Sequence, residues 1–294
     1  MRLLAVHAHP DDESSKGAAT YAHYRSIGAE VLVVSCTGGE RGDIQNAALE
    51  PKAMANRDMA GLRRIEMAQA QAAIGFDHLW LGYQDSGLPE NGEPVPANSF
   101  AVIPLEISAE PLVKIIRDLR PQVLITYDET GGYPHPDHIR THEISMYAFE
   151  AAADPTRYPD AGQPWQISKV YYDRIFNAPR IEAMYQFLLV NEPETPHLAR
   201  MEELRAWMRD RPNLATTQVE VGAFLEARDA ALRAHASQVA PDSSFFFWPN
   251  DLQRKAWPFE DFQLAVSLVE SPLPETDLFA GIREDAADDR EVTP

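Results

Sequence analysis

Two short apolar segments each run straight into a cluster of metal-binding side chains, and few folds can accommodate both. The first, Leu3-Leu4-Ala5-Val6, leads into His7-Ala8-His9-Pro10-Asp11-Asp12-Glu13. The second, residues 123–127, leads into Gly131-Gly132-Tyr133-Pro134-His135-Pro136-Asp137-His138. In an open α/β sheet, sites form beyond the carboxyl ends of the strands, so two clusters that each leave a strand end can meet there.

The surrounding pattern supports such a sheet. Strand signals at 3–9, 31–36, 79–83, 123–127 and 170–175 alternate with helical ones, the arrangement of a parallel sheet covered on both faces. A helix over 14–27 is expected to stop at Gly28 and another over 57–74 at Gly75, glycine being the usual residue just past a helix end. Leu112, Ile115, Ile116 and Leu119 recur at helical spacing. A further helix over 138–152 is expected, with Asp137 as a candidate cap for its first turn. Residues 38–56 and 86–104 read as long loops, which in compact domains often carry function. The fold expected is α/β: a Rossmann-like, mostly parallel sheet with helices on both faces and a smaller, largely helical C-terminal part. Residues 1–175 form the metal-binding catalytic region in this division and 176–280 a region that completes the substrate site. Residues 281–294 form an acidic, disordered tail, since the end of the chain is dominated by Asp and Glu.

Composition removes several functions. The net charge of −19 opposes binding to a phosphate backbone, which needs concentrated Lys and Arg, and equally opposes an anionic membrane surface. No apolar run reaches the length of a membrane span, and no secretory h-region opens the chain. One cysteine, Cys36, cannot form an internal disulfide, so a cytoplasmic address is the expectation. No Gly-x-Gly-x-x-Gly or Walker pattern points to a nucleotide.

The clusters carry the chemistry. Pro10 biases His9 towards an extended backbone, and the turn that follows lets His9 and Asp12 converge while Asp11 projects elsewhere. His138 can complete the set. Imidazole and carboxylate without cysteine suit a catalytic Zn²⁺ with three protein ligands and one open position, although two histidines and a carboxylate also suit Fe²⁺. Surplus acid–base groups favour hydrolysis. Asp11 is placed to take a proton from an attacking water and return it to a departing amine. His135 lies three residues before His138, within reach of the same carbonyl, and Asp137 is a candidate to orient it. Taken singly, Asp12 and Asp137 could be no more than helix caps. Two such clusters after two strands make function the better reading.

These motifs, with Thr37-Gly38-Gly39-Glu40, Arg63-Arg64-Ile65-Glu66, Leu81-Gly82-Tyr83-Gln84-Asp85 and the late Ala231-Leu232-Arg233-Ala234-His235-Ala236-Ser237-Gln238, resemble the LmbE-like, or PIG-L type, zinc-dependent N-deacetylases over most of the chain. The resemblance implies one zinc per chain at His9, Asp12 and His138. It also implies Asp11 as general base and acid, His135 as oxyanion-stabilising group with Asp137 as its partner, and Tyr133 as an aid in polarising the carbonyl. Within the family, Asp12-Glu13-Ser14-Ser15-Lys16-Gly17 and Asp85-Ser86-Gly87-Leu88-Pro89 are most similar to members that hydrolyse the amide of a sugar–inositol thiol conjugate. The alternative is deacetylation of N-acetylglucosaminyl-inositol or another N-acyl glucosaminide. Lys16, Glu40, Arg63 and Asp85 are the candidate substrate contacts, because charged groups near the mouth suit a polyhydroxylated small molecule.

Other readings compete. His7 and His9 form the His-x-His that opens amidohydrolase barrels, but a barrel needs eight βα units and later histidines, whereas the late region holds only His197 and His235. His7 is therefore expected to pack beside the site. His142, one turn after His138, is expected to support the ligands, and His235 to be a satisfied histidine on an apolar helix face. Cys36 reads as a small buried hydrophobe. A binding protein without turnover would have no use for Asp11 and His135.

Overall fold

The computed structural model describes residues 1–89, 93–246 and 248–283. In chain order its strands and α-helices are β1 (Arg2–His7), α1 (Asp12–Ser15), α2 (Ala18–Ser26), β2 (Glu30–Thr37), α3 (Lys52–Arg57), α4 (Met59–Ile74) and β3 (Asp77–Tyr83). There follow α5 (Leu105–Leu119), β4 (Val123–Thr126), α6 (Pro136–Ala153), β5 (Lys169–Asp173), α7 (Ala178–Asn191) and α8 (His197–Met208). Last come β6 (Thr217–Glu220), α9 (Leu225–Ala234), α10 (Asn250–Ala256) and β7 (Phe259–Ser267).

The described strands form one sheet in the order β3-β2-β1-β4-β5-β7-β6. The first five run parallel, and β7 is antiparallel to both of its neighbours. Side chains alternate across a strand. Leu3, Ala5, Val31, Val33, Val123 and Ile125 accordingly pack on one face, against residues of α2, α4 and α9. Leu4, Val6, Leu32, Val34 and Leu124 pack on the other, against α5 and α6. Burial on both faces is why these strands read as continuous apolar runs rather than alternating ones. The strand order reverses between β1 and β4, which are hydrogen-bonded neighbours. Both metal-binding clusters leave the carboxyl ends of that pair, at the crevice where α/β sheets place their ligands.

The expected fold class stands, with three local differences. The helix expected over 14–27 is two helices separated at Lys16 and Gly17, where φ is +137°. A Cβ at residue 17 would lie 2.8 Å from the Tyr21 ring, so Tyr21 packs where a continuing helix would need a side chain. At the start of α6, the His135 side chain rather than Asp137 provides the cap, by accepting the Asp137 N–H. Beyond residue 175 the chain adds β6 and β7 to the sheet as well as helices. Their half-buried, polar-rich sequences lack the apolar runs that announce a central strand. From residue 284 the expected acidic tail lies outside the described residues. No helix among the described residues is long and apolar enough to cross a membrane.

Candidate metal centre

Hydrogen bonding at His138 fixes the chemistry of its ring. Its Nδ1 lies 3.0 Å from the Gly131 carbonyl oxygen, which can only accept, so Nδ1 carries a hydrogen and Nε2 is the ring atom left to face the site. Nε2 is buried with no hydrogen-bond partner among the described residues, yet it sits 3.3 Å from Asp12 Oδ2. Two acceptor atoms this close need a shared positive charge, which either a proton or a metal ion supplies. Gly131 makes the approach possible: at φ +72°, a Cβ there would come within 2.6 Å of His138 Cβ. The Tyr127 ring stacks on His138 with centroids 4.5 Å apart.

His9 is arranged in the same way. Its Nε2–H points to Asp137 Oδ2 at 3.3 Å, with Asp85 Oδ1 at 3.6 Å. That leaves Nδ1 to face Asp12 Oδ2 at 3.6 Å. Burial opposes charge on His9, but Asp12, Asp137 and Asp85 together outweigh it and raise its pKa well above the usual imidazole value. On Asp12 burial is likewise outweighed, by His138 and Lys16, and its carboxyl is held well below the ordinary range. The site is built for a positive charge. A tetrahedral ion with bonds of about 2.0–2.1 Å spaces its donors roughly 3.3 Å apart, close to the separations found here. His9, Asp12 and His138 thus fit a metal ion, with ligand atoms all within 4.8 Å of one another. His9, His135 and Asp137 form a second triple within the same limit, but Asp137 is already engaged: it accepts the Ser86 N–H at 2.8 Å and the Ser86 hydroxyl.

Asp137 therefore orients a histidine, but the histidine is His9. It meets His135 through its backbone N–H, 3.1 Å from His135 Nδ1. Because Nδ1 accepts, a neutral His135 carries its hydrogen on Nε2. Burial, then the neighbouring His9 and His138, push the His135 pKa down to about 4, so the ring is neutral near pH 7. Tyr133, 45% exposed, packs edge-on against His138 with centroids 4.5 Å apart, and burial pushes its hydroxyl up to about 12.

Asp11 stands apart from the ligands. Its side chain is 26% exposed where Asp12 is 6% and Asp137 0%, so it is the carboxylate of the loop open to an incoming molecule. Burial raises its pKa, with Arg63 opposing and Asp12 adding to the rise. Its backbone lies at φ +105°, a region that costs a non-glycine residue of order 1–3 kcal/mol. Glu13 Oε2 accepts the Asp11 N–H at 2.9 Å, while Arg63 donates to Asp11 Oδ2 at 2.8 Å, to Gly39 O at 2.8 Å and to Pro10 O.

Of the four candidate substrate contacts, Lys16, Arg63 and Asp85 are buried and Glu40 is half-buried. Arg63 is 3% exposed and spends its guanidinium on the Asp11 loop. Lys16 Nζ donates to Asp12 Oδ1. Asp85 accepts the Arg41 and Gly87 N–H groups at 3.0 and 2.7 Å, and Glu40 accepts the Asp85 N–H at 2.8 Å. Each of them fixes a loop around the site. His7 bonds the Tyr21 and Tyr127 hydroxyls at 2.9 and 3.3 Å, and burial lowers its pKa to about 4. His142 Nδ1 bonds Tyr127 O at 3.0 Å. Both reach Tyr127, whose ring stacks on His138. Burial pushes the Cys36 thiol up to about 12, which leaves it inert.

Ser86 and Asp173 escaped the sequence reading, as did the partner of His235. Ser86 was quoted only within its motif, and its hold on Asp137 depends on a contact across 51 positions. His235 is fully buried and pairs with Glu13 at 2.7 Å. Burial opposes charge on both; it is outweighed at Glu13 by His235, Ser14 and the Asp11 N–H, giving a pKa of about 2, and at His235 by Glu13, which raises the imidazole. Asp173, at the end of β5, is raised to about 7 by burial, with Lys16 and Arg174 opposing only in part. An acid raised on folding stays protonated in the folded chain while the unfolded chain has released its proton. Stability is thereby lost as pH rises from the unfolded value near 4 to the folded value near 7, by at most about 1.4 kcal/mol per unit. Metal-free Asp173→Asn protein should match the wild type near pH 4 and exceed its melting temperature increasingly up to pH 7. Parallel melting curves across that range would contradict the assignment.

Comparison with known proteins follows the geometry. The family described as PIG-L, GlcNAc-PI de-N-acetylase, matches residues 4–149. The chain is 50% identical over 290 residues to the mycothiol S-conjugate amidase of Streptomyces coelicolor, covering 97% of this chain and 99% of that one. It is 39% identical over 289 residues to the 1D-myo-inositol 2-acetamido-2-deoxy-alpha-D-glucopyranoside deacetylase of Streptomyces avermitilis, covering 96% and 97%. Among solved structures, the N,N'-diacetylchitobiose deacetylase of Pyrococcus horikoshii shares the fold, with a TM-score of 0.60 at 19% identity over 90% of this chain and 83% of that one. By these relatives the chain is a hydrolase that cleaves an amide. The chain belongs to the PIG-L family of deacetylases and amidases.

Proposed function

We propose that this protein is a zinc-dependent amidase that hydrolyses mycothiol S-conjugates to glucosaminyl-inositol and an N-acetylcysteine S-conjugate, a step of thiol-based detoxification in the cytoplasm. The observation that carries amidase over deacetylase is the end-to-end 50% identity to the Streptomyces coelicolor amidase, against 39% to the Streptomyces avermitilis deacetylase. Both substrates present an amide on a glucosamine nitrogen, so one site can serve either.

His9, Asp12 and His138 would hold the zinc. When bound, it supplies a Lewis acid that polarises the amide carbonyl and acidifies water. Asp11 takes the proton of the attacking water and delivers it to the amide nitrogen as the C–N bond breaks. Its raised pKa suits both halves of that transfer. His135, neutral and with Nε2–H free of its capping bond, donates to the oxygen that gains charge. Tyr133 keeps its phenolic proton and adds a second donor at the rim. Asp137 and Ser86 hold His9. Lys16, Glu40, Arg63 and Asp85 act on substrate through the loops they fix.

A paired mass-spectrometric assay tests this reading, with and without chelator. Chelator-sensitive release of glucosaminyl-inositol from a mycothiol S-conjugate, faster than loss of acetyl from N-acetylglucosaminyl-inositol, is expected. The reverse order would make the protein the biosynthetic deacetylase.

A further inference from the structure

We infer that Glu13 and His235 form a positioning pair that sets Asp11, so that the end of α9 controls the proton-transfer step although it touches neither metal ligands nor substrate. The inference rests on the reading of Asp11 as the group that moves the proton.

The geometry runs in one line. Asp11 holds a left-handed backbone, φ +105°, that its own side chain does nothing to favour, since it makes no capping bond to α1. The Glu13 carboxylate folds back to accept the Asp11 N–H at 2.9 Å through Oε2. Its other oxygen accepts His235 Nε2–H at 2.7 Å and the Ser14 hydroxyl at 2.5 Å. Glu13 and His235 are both 0% exposed. Arg63 grips the Asp11 carboxylate from the opposite side at 2.8 Å. Backbone and side chain of Asp11 are thus fixed by separate partners, and the backbone clamp runs through Glu13 to His235 at the end of α9.

His235 is itself anchored. Its carbonyl accepts the Gln238 and Val239 N–H groups at 2.9 and 2.8 Å. The next residues bind the Asn46 loop and α4: Ala236 O accepts from Asn46 at 2.9 Å, and Ser237 donates twice to Glu66 at 2.7 Å. A buried ion pair is a poor way to gain stability, because an apolar pair of similar volume usually serves as well or better. What the pair supplies is a fixed acceptor at the Asp11 N–H. Proton transfer is sensitive to such placement, with an error of about 1 Å able to cost on the order of a hundredfold in rate.

A double-mutant cycle on zinc-loaded full-length protein tests this, using whichever of the two amides the wild type cleaves. His235→Ala is expected to lower kcat by about ten- to a hundredfold, with KM and zinc content unchanged. His235→Gln, which retains an N–H for Glu13, should recover most of the loss. In an Asp11→Asn background, His235→Ala should cost almost nothing further, since coupled residues are not additive. Equal losses in both backgrounds, or a rise in KM alone, would overturn the inference and leave a structural pair. Should His235→Ala fail to fold, Glu13→Gln enters the same cycle with the same two outcomes. Full turnover by Asp11→Asn would instead remove the role of Asp11 on which the inference stands.

Discussion

Asp11→Asn protein is expected to retain its full complement of zinc and to cleave its amide substrate some 10²–10⁴-fold more slowly, the range for loss of a general acid–base group. Asparagine is the suitable replacement for two physical reasons. The backbone at residue 11 lies at φ +105°, a region that asparagine tolerates better than alanine. Its amide oxygen can still accept from Arg63, now 2.8 Å from Asp11 Oδ2, so a guanidinium only 3% exposed is not left without a partner. What is lost is the ability to take and return a proton. Zinc is measured by elemental analysis and turnover by release of free amine. If turnover survives, the proton must travel by another group, and His135 would be examined next.

His138→Ala should lose the metal outright. In the proposed centre it is one of three donors, and its Nε2 has no other partner among the described residues. Dialysed protein is expected to hold less than about a tenth of an equivalent of zinc and to show no chelator-sensitive hydrolysis. Wild-type protein should also gain thermal stability on adding zinc, because a ligand that binds only the folded state stabilises it by mass action; the variant should gain none. Unchanged zinc content would move the ion to His9, His135 and Asp137, the second triple that the geometry allows, and His135→Ala would then be the variant that empties the site.

Much of this centre was legible before any coordinates. Leu3–Val6 and residues 123–127 announced two buried parallel strands, and each delivered its ligands at the strand end. His9, Asp12 and His138 converge as expected, and α4 ends at Gly75 in a left-handed turn as its sequence predicted. The less legible parts share one cause. Arg63, Asp85 and Glu40 are charged residues near the mouth, and nothing in their order shows that each is taken up by a neighbour distant in the chain; Lys16 turns back one helical turn to Asp12. Asp137 lies two residues from His135, so local spacing suggested that pair, whereas the carboxylate turns to His9 across 128 positions. His235 reads as a satisfied histidine on an apolar helix face, whereas it lies just past the end of α9. Its partner, Glu13, is 222 positions away.

Local order along the chain therefore determined the strand–helix alternation, the two clusters and the kind of chemistry they support, because periodicity and ligand type are properties of neighbouring residues. The tertiary structure alone decided which carboxylate serves which histidine, which charges are consumed in holding loops, and that the late segment 235–238 braces the metal loop. Those choices depend on contacts across the sheet and between loops. Pairing of charges over such separations is set by packing, not by sequence proximity.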